Sequence, residues 1–473
     1  MKSHTTESLA QVIRSGRTLS LKEQMRLTLQ LSAPSILAQV STLIMQYIDA
    51  SMVGHLGAGE AASIGLVSTT IWLFSGLCMA VAMAFAVQVA HRVGAGDYAE
   101  ARSVVRQSLT ASLIFILLLA ATGALLSGPL PRWLGGSPDI TGDASRYFLI
   151  YALSLPALQA NCLASGLLRC SGNMKVPGLM SLLMCLLNII FNYLLIFPSH
   201  ELSIVGLHFT LPGAGWGVSG AALGTTLAEA VTALLLFHYL LTRQEGLKLR
   251  GERGRFKPTR SCLRRALKIG LPMGCERMAM CGAQIVITII VAPLGAIALA
   301  AHSFAIIAES LCYMPGYGIS DAATALIGQS LGAGRLDLTR RFAYTSVSLG
   351  VIIMTAMGAV MYLFAPEMIG FMTPDSNIVA QGASVLRIEA FAEPMFAAAI
   401  VCYGVFIGTG STLKPFLMNF GSIWVVRLPL AALLTARYGL VGVWIAMCAE
   451  LCFRGLLFLT RLWRGKWLCG HKS

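Results

Sequence analysis

The sequence predicts an all-α polytopic membrane protein: twelve transmembrane helices in two six-helix lobes related by a pseudo-two-fold axis along the membrane normal. Three observations carry this: an apolar composition, a one-sided distribution of basic residues, and an internal repeat. Of 473 residues, 56% are hydrophobic and 12% charged, with a mean hydropathy of +0.73. Soluble domains carry roughly 25% charged residues, so ordinary water-soluble domains are excluded, as is disorder, which needs many charges and few apolar groups. A membrane barrel is disfavoured because its strands alternate over about 10 residues, whereas Leu109 to Leu126 is apolar on all sides.

A spanning helix needs about 20 mostly apolar residues. The apolar runs predict spans at 27–54, 61–90, 103–127, 146–168, 177–197, 217–242, 263–292, 297–328, 341–364, 380–409, 414–436 and 439–463. Residues 1–26 form a polar N-terminal segment without the features of a cleaved leader. Within it, Ser20 and Glu23 form a capping box that starts the helix leading into the first span. The N-lobe is 27–242, a basic linker 243–262, the C-lobe 263–463 and a basic tail 464–473.

Basic residues test the count, because short cytoplasmic loops of membrane proteins concentrate Lys and Arg. With the N-terminus in the cytoplasm, inside segments hold 28 of the 35 Lys and Arg, ten of them between Arg243 and Lys268, while outside loops hold Arg132, Arg146 and Arg437. The net charge of +14 is therefore a topology signal and not a nucleic-acid footprint. Both termini are expected in the cytoplasm. The twelve cysteines include no CxxC or Cys/His metal spacing and read as inert buried thiols.

A shift of 238 places Pro34 on Pro272, Gly57 on Gly295, Gly94-Ala-Gly96 on Gly332-Ala-Gly334, Pro156 on Pro394 and Pro177 on Pro415. Later the shift becomes 222, pairing Gly217 with Gly439 and Gly220 with Gly442, so the first half carries about 16 extra residues, assigned to the outside loop 199–216. Six spans per repeat is an even number. Both halves therefore enter the membrane from the same side, and a binding site is expected between them. Pro34 and Pro272 fall near the predicted helix starts, where they either permit bending or mark helix entry.

Ionisable groups in the bilayer cost about 2.5–3.5 kcal/mol each on insertion scales, and those present face a cavity or a partner. Gln39, Thr42, Gln46 and Asp49 are spaced 3, 4 and 3, which predicts one polar helix face. Asn188 and Asn192 share a face four apart; they either ligate a monovalent cation or proton network, or bond neighbouring helices. In the second half, Glu276, Glu309, Glu389, Glu393 and Glu450 lie in spans with Arg277, Arg387, Arg427 and Arg454. Glu276, Gln284, Glu309, Glu389 and Glu393, with Gln39, Thr42 and Gln46, are candidates for a substrate cavity. His302 reads as a core residue. No P-loop, GxSxG or HExxH is present, so no enzyme activity and no ATP-driven step is expected. The two Gly-Ala-Gly segments follow long apolar helices and read as helix stops.

The runs Pro34…Asp49…Val53-Gly54…Leu56-Gly57, Val89-Ala-His-Arg-Val-Gly-Ala-Gly96 and Gly166-Leu-Leu-Arg-Cys-Ser-Gly172…Pro177 resemble the multidrug and toxic compound extrusion (MATE) transporters, of the MOP superfamily. So do Val291-Ala-Pro-Leu-Gly295, Glu309-Ser-Leu-Cys-Tyr-Met-Pro-Gly316 and Ala322 to Gly334. The resemblance covers roughly residues 25–467. It implies a secondary antiporter in the bacterial inner membrane that expels amphipathic, often cationic compounds against Na⁺ or H⁺. No cofactor beyond the coupling ion, no nucleic-acid partner and a functional monomer are expected. The family's N-lobe cation site maps onto Asp49, Asn188, Asn192 and Thr225. Where some relatives carry a second carboxylate, this chain has Asn192; acids of one subgroup's C-lobe align with Met280 and Phe396. A flippase for lipid-linked oligosaccharides is the alternative within the superfamily, but it favours a strongly cationic cavity. A major-facilitator transporter needs an Asp-Arg-x-Gly-Arg type turn that His91 to Gly96 does not supply.

The basic asymmetry makes a direct prediction. In a Cys-free background, single cysteines at Ser137, Ser203 and Ser376 should label from outside the cell. Those at Ser171, Ser261 and Ser411 should label only after permeabilisation; external labelling at Ser261 would overturn the span order.

Overall fold

The computed structural model describes residues 9–15, 19–204, 207–249, 254–465 and 467–468. Its elements in order are α1 (Leu9–Arg14), α2 (Leu21–Gly54), α3 (Ala58–Ala95), α4 (Tyr98–Leu126), α5 (Leu130–Trp133), α6 (Pro138–Cys170), α7 (Lys175–Ile196), β1 (Pro198–Ile204), β2 (Leu207–Ala214), α8 (Gly217–Thr242) and α9 (Arg260–Val291). There follow α10 (Ala296–Gly332), α11 (Leu336–Leu363), α12 (Ala365–Gly370), α13 (Ser376–Glu389), α14 (Glu393–Gly408), α15 (Leu413–Gly421), a π-helical turn at Ser422–Arg427 and α16 (Leu428–Trp463).

Nine helices are singly long and apolar enough to span a bilayer: α2, α3, α4, α6, α7, α8, α9, α10 and α11. The tenth span is bent by 61° between α13 and α14, with Pro394 just after the break. It occupies the second position of α14, where a missing N–H costs nothing, whereas an unbroken helix would lose a hydrogen bond there. The last two spans form one helical stretch of 51 residues, Leu413–Trp463, about 77 Å at 1.5 Å per residue, over twice the ~30 Å hydrocarbon core. The stretch folds back on itself. Gly439 leaves helical geometry at φ 55°, ψ −135°, a left-handed conformation that glycine adopts without a Cβ penalty, and Glu450 hydrogen-bonds Ser422 and Arg427 across the hairpin. Twelve spans result, as predicted.

Local signals act as the sequence suggests. Ser20 and Glu23 form both bonds of the capping box. Gly96 caps α3 in the left-handed conformation, and the eleven described cysteines are all unpaired. The extra residues of the first half form a two-stranded antiparallel hairpin, β1–β2, the one sheet among the described residues. Pro34 and Pro272 lie inside the continuous helices α2 and α9, so neither marks a helix entry.

The lobes meet through glycines. A Cβ on Gly94 of α3 would lie 2.0 Å from the Gln329 carbonyl oxygen of α10, and one on Gly332 of α10 would lie 2.0 Å from the His91 carbonyl oxygen of α3. Gly94 and Gly332 are repeat equivalents, and so are His91 and Gln329. The contact is reciprocal, as a two-fold relation requires. The cross-lobe hydrogen bonds cluster at this end, which carries the basic residues. His91 Nε2 donates to the Gly408 carbonyl at 2.8 Å, Gln329 Nε2 to the Cys170 carbonyl at 2.8 Å and Gln88 Nε2 to the Cys262 carbonyl at 3.5 Å. Toward the other end, among the described residues, cross-lobe bonding is confined to Tyr47, whose hydroxyl donates to the Ile307 carbonyl at 3.1 Å and also meets the Ser310 hydroxyl. Hydrogen bonds thus fasten the lobes at the basic end and are sparse toward the opposite one, the side on which an opening between the lobes would lie.

Close backbone approach also fastens the last hairpin, since a Cβ on Gly442 would lie 2.4 Å from the Leu434 carbonyl oxygen. Gly442→Ala is expected to cost about 1–3 kcal/mol through overpacking, seen as a lower apparent unfolding temperature in detergent. Gly421→Ala, with nothing within 4 Å, should leave that temperature unchanged.

Candidate functional site

Three N-lobe helices bring four predicted residues together. Asp49 sits near the C-terminal end of α2, Asn188 and Asn192 on one face of α7, and Thr225 on α8. Asn192 Nδ2 donates to Asp49 Oδ1 at 2.7 Å and to Asn188 Oδ1 at 3.2 Å. Asn188 Nδ2 donates to Thr225 Oγ1 at 3.0 Å, and the Thr225 hydroxyl donates to the Ala221 carbonyl at 3.1 Å. Both asparagines are fully buried. Asn192 Oδ1 has no hydrogen-bond partner and points at Gly224, where a Cβ would stand 2.0 Å away. The result is a carboxylate joined to a chain of neutral oxygens. One buried acceptor is unsatisfied, and such a group costs about 1–3 kcal/mol when left unpaired. Hard oxygen donors of this kind suit a monovalent cation or a proton. Tyr147 of α6 and Glu229 of α8 lie within electrostatic reach of one another, and Tyr147 also of Asp49.

The rest of the predicted α2 face disperses. Gln39 Nε2 donates at 3.2 Å to Asp321 Oδ2 of α10, Thr42 donates to the Ala38 carbonyl of its own helix at 3.0 Å, and Gln46 is exposed. No hydrogen bond joins these three to Asp49.

Among the C-lobe candidates, Glu276 is held inside the lobe by the Tyr403 hydroxyl and by Asn419 Nδ2 at 2.5 Å, while Gln284 is exposed. Glu309, Glu389 and Glu393 are buried and so do not line the opening between the lobes. Glu389 ends α13 and Glu393 begins α14, flanking the break, and the oxygens of both lack hydrogen-bond partners. Glu450 is a structural ion: Arg427 Nη2 donates to it at 2.6 Å and Arg454 Nη2 at 2.9 Å. Phe396 packs edge-on against Tyr313 and under the Arg454 guanidinium. His302 is a core residue as expected, accepting from Trp444 Nε1 at 3.1 Å.

The sequence reading passed over one cluster. Asp321, in the basic half of α10, receives Arg169 Nη1 of α6 at 2.8 Å, with Ser35 Oγ and Gln39 Nε2 of α2 both at 3.2 Å. All three partners belong to the other lobe, so this is an ion-pair latch across the closed end. Its signal was present in the sequence as an acid inside a long apolar run.

The sequence profile of the MatE family matches residues 34–194 and again 272–433, two matches whose starts differ by the repeat offset. The chain belongs to the MatE family. Among curated relatives, a probable multidrug resistance protein NorM of Thermotoga maritima is 27% identical over 441 residues, 93% of this chain and 92% of that protein. A probable NorM of Pseudomonas aeruginosa is 30% identical over 430 residues, covering 89% and 85%. Multidrug resistance protein PmpM of the same organism is 28% identical, covering 88% and 84%. A solved multidrug resistance MATE family transporter of the MOP superfamily, in an outward-facing conformation, superposes with a TM-score of 0.86 over 98% of this chain and 99% of that one, at 22% identity. The twelve-helix, two-lobed fold is thus that of the MATE transporters, and the protein is a multi-pass membrane transporter.

The latch carries a prediction. A hydrogen bond to a charged group is worth about 1.5–3 kcal/mol, so Asp321→Asn should favour opening of the basic end on the order of tenfold. A cysteine replacing buried Ser35 should then react faster with a maleimide applied from that end. An unchanged rate would mean that the ion pair does not hold the lobes together.

Proposed function

We propose that the protein is a cation-coupled efflux transporter that exports small amphipathic organic compounds across the bacterial inner membrane, both termini cytoplasmic, in exchange for Na⁺ or H⁺. The observation that carries this reading is the N-lobe quartet, in which one carboxylate is tied at 2.7 Å to a buried amide whose own oxygen is unsatisfied. The names of the curated relatives support drug-like substrates. Function as a monomer, with no nucleic-acid partner and no cofactor beyond the coupling ion, belongs to the same reading.

In this mechanism a cation or proton entering from outside neutralises Asp49 and releases its tie to Asn192. The change shifts α2 against α7 and lowers affinity for substrate in the opening. The lobes then rock about the α3–α10 crossing while the Arg169–Asp321 latch opens. One monovalent ion crossing about 100 mV releases about 2.3 kcal/mol. At about 1.4 kcal/mol per decade, that sustains roughly a 50-fold gradient of a neutral substrate.

Asp49→Asn is nearly isosteric, so it separates coupling from folding. It should reach the membrane at normal levels and lose ion-driven dye export in everted vesicles. Asn188→Ala should weaken coupling less, because a neutral ligand is lost and water substitutes for it. A raised Na⁺ requirement in that variant marks Na⁺ use; a shifted pH optimum without Na⁺ dependence marks H⁺ use. Wild-type export by Asp49→Asn under an imposed gradient would reduce the quartet to helix packing.

A further inference from the structure

Away from the span ends, the C-lobe spans contain four arginines, Arg277, Arg387, Arg427 and Arg454, and three of them are satisfied. Arg427 and Arg454 bind Glu450, and Arg387 donates to the Tyr362 carbonyl at 3.4 Å with its guanidinium over the Tyr362 ring. Arg277 differs. Among the described residues no hydrogen bond or ion pair reaches its guanidinium, and the residue is exposed. It lies nine residues along α9 from Lys268, about 14 Å deeper at 1.5 Å per residue, near the middle of a ~30 Å core. An unpaired cation at that depth needs water or a ligand.

Its position says which. Gly76 of α3, in the opposite lobe, faces the Arg277 stem so closely that a Cβ there would lie 2.1 Å from Arg277 Cγ. Toward the basic end the same two helices stay in contact, Gly270 against Ala80 and Ala84, and Gly274 against Leu77. Arg277 thus stands at the end of this α3–α9 contact farther from the basic end, beside the region where cross-lobe hydrogen bonds are sparse. The neighbouring carboxylate does not neutralise it by direct contact, because Glu276 is engaged by Tyr403 and Asn419. The repeat sharpens the point. The N-lobe equivalent of Arg277 is Gln39, which meets the carboxylate of Asp321 across the interface. The residue equivalent to Asp321 opposite Arg277 is Met83, so the cation has no acid across from it. Tyr317 of α10, 38% exposed and within electrostatic reach of Arg277, adds an aromatic surface, itself packed edge-on against Tyr313.

We propose that Arg277 is the recognition point for an anionic group, a carboxylate, on the amphipathic substrate, bound at the floor of the opening with its apolar part against Tyr317. A guanidinium presents two parallel N–H donors that match the two oxygens of a carboxylate, and Gly76 leaves space for its stem. This names a substrate class within the efflux reading and rests on that reading for the purpose of the opening. Acidic or zwitterionic amphiphiles are preferred over purely cationic ones.

The test is equilibrium binding to purified protein in neutral detergent, with no ion gradient, using dansyl-leucine and its methyl ester, which differ in the charged group. The wild type should bind the acid about tenfold more tightly than the ester, a difference of about 1.4 kcal/mol. Arg277→Gln should abolish that preference while leaving ester affinity within about twofold, and Arg277→Lys should retain part of it. An ester affinity preserved in Arg277→Gln also certifies its fold. Equal affinity of the wild type for acid and ester, or an Arg277→Gln variant that keeps the preference or weakens both ligands alike, overturns the proposal. Phosphatidylglycerol added to the micelles should not displace the acid; displacement would place a lipid headgroup at Arg277 and overturn the substrate assignment. Absence of ion-driven export by the wild type, with the acid preference intact, would instead defeat the coupling reading and leave this site standing.

Discussion

A charge held in hydrocarbon must be matched, and in this bundle the matching decides which helices stand side by side. Asp49 is answered by the Asn192 amide on α7, which also donates to Asn188, and Asn188 donates to the Thr225 hydroxyl on α8, so α2, α7 and α8 are tied at one depth. Glu450 is answered by Arg427, which the π-helical turn presents, and by Arg454 one turn along its own helix. Asp321 finds its counter-ion on α6 of the other lobe. Replacing one member of such a pair leaves the other buried and uncompensated, which is why these pairs constrain helix order more than their net stabilisation suggests. The groups left without a match, Glu389 and Glu393 at the α13–α14 break and Arg277 at the opening, are then the places where the fold bears an electrostatic cost.

Much of the architecture was legible because the membrane imposes simple rules. Apolar length, basic loops and a fixed offset between halves predicted twelve spans, the hairpin's location and the two lobes. The N-lobe quartet was legible by resemblance, with Asp49 and the Asn188–Asn192 face also standing out as polar groups in apolar helices. The fate of the α2 face was not. Residues 3 and 4 apart share a face, but a 34-residue helix crosses its neighbours at an angle, so the face meets different partners at different heights. Gln39 therefore meets the C-lobe and Asp49 the N-lobe. The same limit hid Asp321, whose role depends on an arginine 152 residues away.

Departures from symmetry are as informative as the repeat. Pro156 and Pro394 are equivalent, yet α6 runs unbroken through Pro156 while the tenth span breaks just before Pro394. The preceding turns differ: Ala390 to Ala392 leave the helix after Glu389, and buried carboxylates flank the gap on both sides. Small differences in polar content thus convert a shared proline from a tolerated interruption into a break, and they concentrate the chemical individuality of each half inside its lobe.

The glycine crossing has an evolutionary consequence. Each half contributes the same surface to it, a glycine and the backbone of an equivalent residue, so the seam is isologous, the geometry of a two-fold homodimer. A six-helix polypeptide with one such glycine could pair with a copy of itself through this contact, and gene fusion would preserve the seam unchanged. Elsewhere the copies were free to diverge, to the point that Asp321 stands where its counterpart is Met83. At Gly94 and Gly332 each half meets the backbone of the other, so that joint has the reciprocal geometry of a two-fold homodimer seam within one chain.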